Sequence, residues 1–203
     1  MDRRVRRTTK SISSAFIQLL KTYSIEEITI QQIADEADIN RATFYKYYTD
    51  KYHLLTALED NEIQNIKKHI NYNALSTFRE RNEKSLNDLF NGVPQNIVEI
   101  ILKNIELYEV LFNMKRRSAI EDKLSDTIAQ NLTTILNNEK NINTIPYRYF
   151  HCFIAGAIIS TIKFWVLDPD RISKEALINS LYLLMYKGPL GQLLDEVSSG
   201  NLK

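Results

Sequence analysis

Residues 29–51, Thr-Ile-Gln-Gln-Ile-Ala-Asp-Glu-Ala-Asp-Ile-Asn-Arg-Ala-Thr-Phe-Tyr-Lys-Tyr-Tyr-Thr-Asp-Lys, constrain the fold more than any other stretch, because they describe two short helices joined by a tight turn. Ile30, Ile33, Ala34 and Ala37 recur at the spacing of one buried helical face, with Gln31, Gln32, Asp35 and Glu36 outside it. The period breaks at Asp38-Ile39-Asn40. Asn40 is placed to cap a new helix by accepting from the N–H of residue 42 or 43, and Ile39 before it to pack back on the core. In the helix that starts at Arg41, Phe44 and Tyr48 lie four apart and face inward. Arg41, Ala42, Thr43, Tyr45, Lys46 and Tyr47 spread over the remaining surface. Asp50 reads as the cap of the next helix, which puts Lys51 in a first turn suited to a phosphate.

The periodicity predicts a helix before this pair, from about Thr8 to Tyr23, with an apolar stripe of Ile12, Ala15, Phe16, Leu19, Leu20 and Tyr23. A net charge of +1 argues against nucleic acid only if charge is evenly spread. It is not: Arg3, Arg4, Arg6, Arg7 and Lys10 crowd an N-terminal extension expected to reach DNA, and Arg41, Lys46 and Lys51 sit on the same proposed face.

Downstream, a helix begins near Lys51 and runs past Lys67, burying Leu54, Leu55, Leu58, Ile63, Ile66 and Ile70. Residues 72–92 are polar and irregular. Pro94 marks a helix start, the segment from Gln95 to Phe112 is strongly apolar, and the charged run Lys115-Arg116-Arg117 interrupts. A helix from about Ser118 to Asn138 and a loop to Thr144 follow. Pro146 to Leu167 is apolar on nearly every side, unbroken from Cys152 to Ile159, yet short of the roughly 20 apolar residues of a bilayer span. Such a helix needs cover on both faces, from its own core and from a second subunit. Ser173 caps a last helix. Ile158, Ile162, Leu177, Leu181, Leu184 and Met185 are the candidates for a four-helix dimer interface.

The run Thr29, Ile33-Ala34, Ala37, Ile39-Asn40, Thr43-Phe44-Tyr45, Tyr47-Tyr48, Lys51 and Leu54-Leu55 resembles the DNA-binding domain of the TetR family of bacterial transcriptional regulators. The segments from Phe153 to Trp165 and from Ser173 to Leu184 resemble the C-terminal domain of the subgroup related to the activator of dihydroxyacetone kinase operons. Three positions depart from the family pattern: Asp38 stands where glycine is usual in the turn, Tyr48 where phenylalanine is, and Ala42 where glycine is frequent.

The resemblance implies an all-α fold. Residues 1–52 would form a three-helix helix-turn-helix domain, and 53–203 a helical bundle for regulation and dimerisation. It implies a cytoplasmic homodimeric repressor on a palindromic operator of double-stranded DNA, with no cofactor and no membrane. Matched residue by residue, phosphate contacts fall to Thr29, Thr43, Tyr47 or Tyr48, and Lys51. Arg41 and Lys46 are placed to donate to guanine, and Ala42 and Thr43 to meet a thymine methyl. Tyr45 matches a position that commonly touches the backbone, while the residues alone allow it to pack on the first helix.

The family's regulatory domain implies an effector cavity, for which Tyr108, Phe112, Phe150, Phe153 and Trp165 are the lining candidates. The same aromatics at helical spacing equally fill a core, and a protein co-regulator is the alternative to a small molecule. The sequence offers no nucleophile–base pair at a recognisable spacing and no phosphate-binding glycine loop, so an enzyme is not expected. The single cysteine, Cys152, excludes an internal disulfide and reads as a small core side chain. His53, His69 and His151 have no metal-ligand spacing among themselves.

Overall fold

The computed structural model describes residues 3–70, 94–114, 118–136, 140–142, 144–186 and 188. The polar stretch 72–92 and the run Lys115-Arg116-Arg117 lie outside them. Among the described residues the fold is all-α apart from one two-residue strand pair, and the chain divides into two compact units. One unit comprises Met1–Asn65 with Asn104–Glu121; the other comprises Ile66–Lys103 with Asp122–Lys203.

In the first unit α1 (Arg3–Thr22), α2 (Ile30–Glu36), α3 (Arg41–Tyr45) and the start of α4 (Lys51–His69) enclose Ile12, Phe16, Ile28, Ile33, Ala34, Phe44 and Leu54, all at most 1% exposed. All but Ile28 belong to the predicted stripes, of which Leu19, Leu20 and Ile30 are only half-buried. Helix α1 starts five residues earlier than expected, so the basic extension is helical. The Thr8 hydroxyl donates back to the Arg4 carbonyl at 3.1 Å and that of Thr9 to Val5 at 3.0 Å, which places both threonines inside the helix and not at its cap. At the other end α1 stops at Thr22, leaving Tyr23 exposed.

Apolar residues 95–112 do not make one helix. They form α5 (94–103) and α6 (Ile105–Asn113), broken at Asn104, which adopts φ −124° and ψ 31°. The Asn104 amide forgoes capping α6 and donates to both carboxylate oxygens of Glu62, at 3.0 and 3.2 Å. Glu62 is buried on α4, one turn after buried Glu59, and the Tyr108 phenol lies beside it without a well-aligned hydrogen bond. Burial pushes the Glu62 carboxyl above its ordinary range, and burial with the neighbouring carboxylate pushes the phenol up as well.

A carboxyl whose pKa is raised by folding holds its proton more tightly when folded. Its stabilising influence is complete below the unfolded value and is lost as pH rises through the folded one. Glu62→Gln, which keeps an acceptor for Asn104, is therefore expected to raise the melting temperature at neutral pH, with the gain shrinking as pH falls through the glutamate range. A gain that does not vary with pH between mildly acidic and neutral buffer would contradict this.

In the second unit, Ile66, Ile70 and Ile100 form a small core with Ile97 and Leu124 packed against it. Helix α7 (Ile120–Leu136) is followed by β1 (Asn141–Ile142), inside the expected loop, and β2 (Ile145–Pro146), just beyond it, antiparallel with Ile142 opposite Ile145. Helix α8 (Tyr147–Leu167) is fixed to α7 by polar contacts. The Tyr147 hydroxyl donates to the Ala129 carbonyl at 2.9 Å, and His151 Nε2 lies 3.1 Å from the Ser125 carbonyl. The Trp165 indole N–H donates to the Ile172 carbonyl at 2.7 Å, pinning the turn into α9 (Lys174–Tyr186), whose first turn the Ser173 hydroxyl caps through Ala176 N–H.

Helix α8 corrects two expectations. At 21 residues and a mean hydropathy of 1.7 it is long and apolar enough, by length and composition alone, to cross a membrane. Its two faces also differ: Ala155, Ile159, Ile162, Trp165 and Val166 are buried, whereas Tyr149, Phe153 and Phe164 are 60%, 65% and 73% exposed. Cys152 lies on the exposed side and is not a core residue.

Candidate nucleic-acid interface

Each helix around the turn is started by its own side chains. Thr29 and Gln32 form a reciprocal capping box: the Thr29 hydroxyl accepts from Gln32 N–H at 3.2 Å, and the Gln32 side chain accepts from Thr29 N–H at 2.8 Å. The Thr-x-x-Gln spacing was readable in the sequence. Asn40 caps α3 by accepting from Thr43 N–H at 2.7 Å, and Asp50 caps α4 by accepting from His53 N–H at 2.7 Å. Between α2 and α3, Asp38 has φ 53°, the only positive φ outside glycine among the described residues. This is the turn position where the family usually has glycine, and aspartate tolerates that backbone better than most residues. From outside the turn, the Ser11 hydroxyl of α1 donates to the Ala37 carbonyl at 2.8 Å and fixes the end of α2.

Helix α3 is anchored by Phe44, fully buried, and presents Arg41, Ala42, Tyr45 and Lys46 as exposed residues; Thr43, Tyr47 and Tyr48 are half-buried. Tyr45 is 47% exposed, so it lies on the outer surface of α3 and is not packed away. Its ring meets that of Phe44 edge-on at 5.7 Å. Tyr48 packs on Phe44, also at 5.7 Å, and its phenol, pushed up by burial, hydrogen-bonds Ser13 of α1. The geometry therefore gives Tyr48 an inward role, beside the phosphate role implied by the resemblance.

The hydroxyl protons of Thr29 and Thr43 point at Gln32 Oε1 and Asn40 Oδ1, both at 2.8 Å. Lys51 reaches across the unit. Its ammonium donates to the carbonyls of Glu26 at 2.9 Å and Ile28 at 2.7 Å, closing the loop ahead of α2 onto the start of α4 and leaving one donor for another acceptor. Lys51→Met is expected to lower stability by about 1–2 kcal/mol, read as a denaturant midpoint, because two charge-assisted bonds are lost. It should also flatten the slope of log K against log salt on DNA by about 0.9. Reduced stability with an unchanged slope would assign this lysine to the fold alone.

Arg3, Arg4, Arg6, Arg7 and Lys10 are all exposed on the first two turns of α1, with Arg3, Arg7 and Lys10 along one stripe.

The residues singled out for an effector cavity divide between the two units. Tyr108 and Phe112 belong to the first unit; Phe150, Phe153 and Trp165 belong to the second. Tyr108, Phe112 and Trp165 are buried as core, Phe150 is half-buried and Phe153 faces solvent. A half-open cleft of about 600 Å³ in the first unit is lined by none of them, but by the end of α1, residues 24–27 and α6, including Tyr23, Glu106 and Val110. The Lys21–Glu106 ion pair, 2.9 Å, holds that end of α1 to α6. Of the residues proposed for the dimer interface, Ile162, Leu177 and Leu181 are buried within the chain, Ile158 and Met185 are half-buried, and Leu184 is 39% exposed. Ile162, Leu177 and Leu181 are thus covered by their own core and cannot meet a partner, whereas Ile158, Leu184 and Met185 keep accessible surface. Among the described residues no group of His, Cys, Asp and Glu is arranged to hold a metal ion.

Comparison with known proteins places both halves. Residues 12–58 match the family described as bacterial regulatory proteins, tetR family, and residues 90–187 match a TetR-type family described as transcriptional regulator C-terminal region. An uncharacterised helix-turn-helix regulator of Bacillus subtilis strain 168, YxbF, is 24% identical over 191 residues. That alignment takes in 92% of this chain, which spans about half, 48%, of the relative's length. Among solved structures, a TetR transcriptional regulator from Streptococcus agalactiae 2603V is similar with a TM-score of 0.60 at 22% identity, over 91% of this chain and 96% of that one. The dihydroxyacetone kinase operon activator DhaS gives 0.59 at 16%, over 89% and 96%. The fatty acid degradation regulator FadR of Bacillus halodurans gives 0.64 at 14%, over 87% and 96%. At these identities the structural likeness establishes the fold.

Proposed function

Because the chain belongs to the TetR family of DNA-binding transcriptional regulators, a family of non-enzymatic proteins, we propose that it is a cytoplasmic homodimeric repressor that binds a palindromic operator and releases it on binding a small-molecule effector. The observation that carries the DNA-binding part is α3 itself: a five-residue helix, capped by Asn40 and anchored by buried Phe44, that offers Arg41, Ala42, Tyr45 and Lys46 outward. In this reading residues 1–52 bind DNA and 53–203 regulate and dimerise. Arg41 and Lys46 donate to base edges, while Tyr47, the remaining donor of Lys51 and the hydroxyls of Thr29 and Thr43, once turned from Gln32 and Asn40, set the register on phosphates.

Dimerisation is supported by the exposed face of α8, where Tyr149, Phe153 and Phe164 follow one helical stripe. A monomer seldom leaves such a stripe to water, and a two-fold axis through it makes the contact self-complementary. Two protomers then present α3 about 34 to 36 Å apart or a multiple of it, which calls for a palindrome. An effector releases DNA by favouring a dimer geometry in which the two helices no longer match adjacent grooves. Control by a protein partner in place of a small molecule is the second reading, supported by the burial of Tyr108, Phe112 and Trp165 as core and the exposure of Phe153.

The test is enrichment of duplexes from a randomised library by the purified full-length chain, followed by titration with light scattering. A two-fold symmetric sequence bound by two chains is expected. Failure to retain any duplex at low ionic strength, or retention by one chain on an asymmetric site, would refute the reading. Cys152 supplies an independent check, since its position on the exposed side of α8 should let mild oxidation link two protomers.

A further inference from the structure

We propose that Tyr45 is a positioning residue that holds the Arg41 guanidinium in place for base reading, an inference that rests on the assignment of Arg41 to a base edge. Arg41 opens α3 and Tyr45 closes it, four residues on and on the same face. Arg41 Nη2 donates to the Tyr45 hydroxyl at 3.0 Å, and the guanidinium carbon lies 5.5 Å from the centre of the tyrosine ring. Tyr45 is steadied in turn: its ring stands at 89° to that of Phe44, and Phe44 has no exposed surface. A line of constraint thus runs from the core through the tyrosine to the arginine.

An exposed arginine has many rotamers to lose when it docks, and bidentate donation to a guanine needs its planar fork in one orientation. A side chain held beforehand gives up less freedom on binding and tolerates fewer wrong bases. The hydroxyl accepts from Arg41, so its own proton is turned toward another acceptor, such as a phosphate oxygen. Base reading and backbone register would then share one group.

Full-length protein serves for the test, with the duplex of about 30 base pairs that it enriches from a randomised library and that duplex's single base-pair substitutions. Arg41→Ala is expected to flatten the preference at one base pair in each half-site by about tenfold or more. Tyr45→Phe, which keeps the ring and the fold, should flatten the same base pair by about threefold, and Tyr45→Ala by nearly as much as Arg41→Ala. Adding Tyr45→Ala to Arg41→Ala should change that preference no further.

If Tyr45→Ala and Tyr45→Phe instead weaken every duplex equally while Arg41→Ala flattens one base pair, Tyr45 is a backbone contact and the positioning role is overturned. Absence of any effect from Tyr45→Ala overturns it too. If Arg41→Ala itself leaves all preferences intact, the base-reading assignment fails first and the positioning role falls with it.

Discussion

Phe44→Ala is expected to destabilise the helix-turn-helix unit by about 3–5 kcal/mol and to abolish sequence-specific DNA binding. The ring is fully buried and is the shared neighbour of Tyr45 and Tyr48, each at 5.7 Å, so its removal opens a cavity under the whole of α3. A helix of five residues has no stability of its own, because nucleation is unfavourable and one turn returns few hydrogen bonds. Its orientation therefore depends on that anchor. The change should be read as a lowered melting temperature together with loss of any difference in affinity between the enriched duplex and a scrambled one. Retained specificity at wild-type stability would mean that α3 is held by something other than its aromatic core.

The second large effect is expected from Phe164→Glu. This side chain is 73% exposed on α8 and belongs to the stripe with Phe153 and Tyr149. In a two-fold interface each substitution brings two like charges toward one another in a desolvated contact, at a cost of several kcal/mol. The chain should become monomeric by light scattering while its melting temperature at low concentration changes little, since the side chain is not part of its own core. Because a dimer gains from holding two half-sites at once, affinity for the enriched duplex should fall by about 10²–10⁴. A variant that stays dimeric would remove the exposed face of α8 from the interface.

How much of this was legible in the sequence depends on whether the deciding interaction is local. The caps at Asn40, Asp50 and Ser173 follow from one polar side chain and the N–H groups two or three residues ahead, and all three form. The apolar stripe of α1 and the buried face of α2 follow from periodicity alone. The left-handed turn residue was likewise readable, at Asp38. What the sequence does not reveal depends on distant partners. Lys51 bonds carbonyls 23 and 25 residues away, and Asn104 breaks a long apolar run because a buried carboxylate 42 residues earlier captures its amide.

The two faces of α8 are illegible in its sequence for a different reason. A segment apolar on every side carries no phase, so its sequence gives no indication that Ile162 turns inward while Phe153 and Cys152 turn out. Similarly, threonines that back-bond within a helix are the same residues that cap one, so the sequence alone predicts the start of α1 five residues too late.

The indole pinned to the Ile172 carbonyl belongs to the only tryptophan in the chain. The protein thus carries its own optical reporter, and its fluorescence is local to one corner, where α8 turns into α9. Emission from the folded chain should come from a dry ring and shift to the red only when that corner opens to water. Changes confined to the helix-turn-helix unit, which holds no tryptophan, would be silent in this emission, so a red shift reports on the second unit without a label.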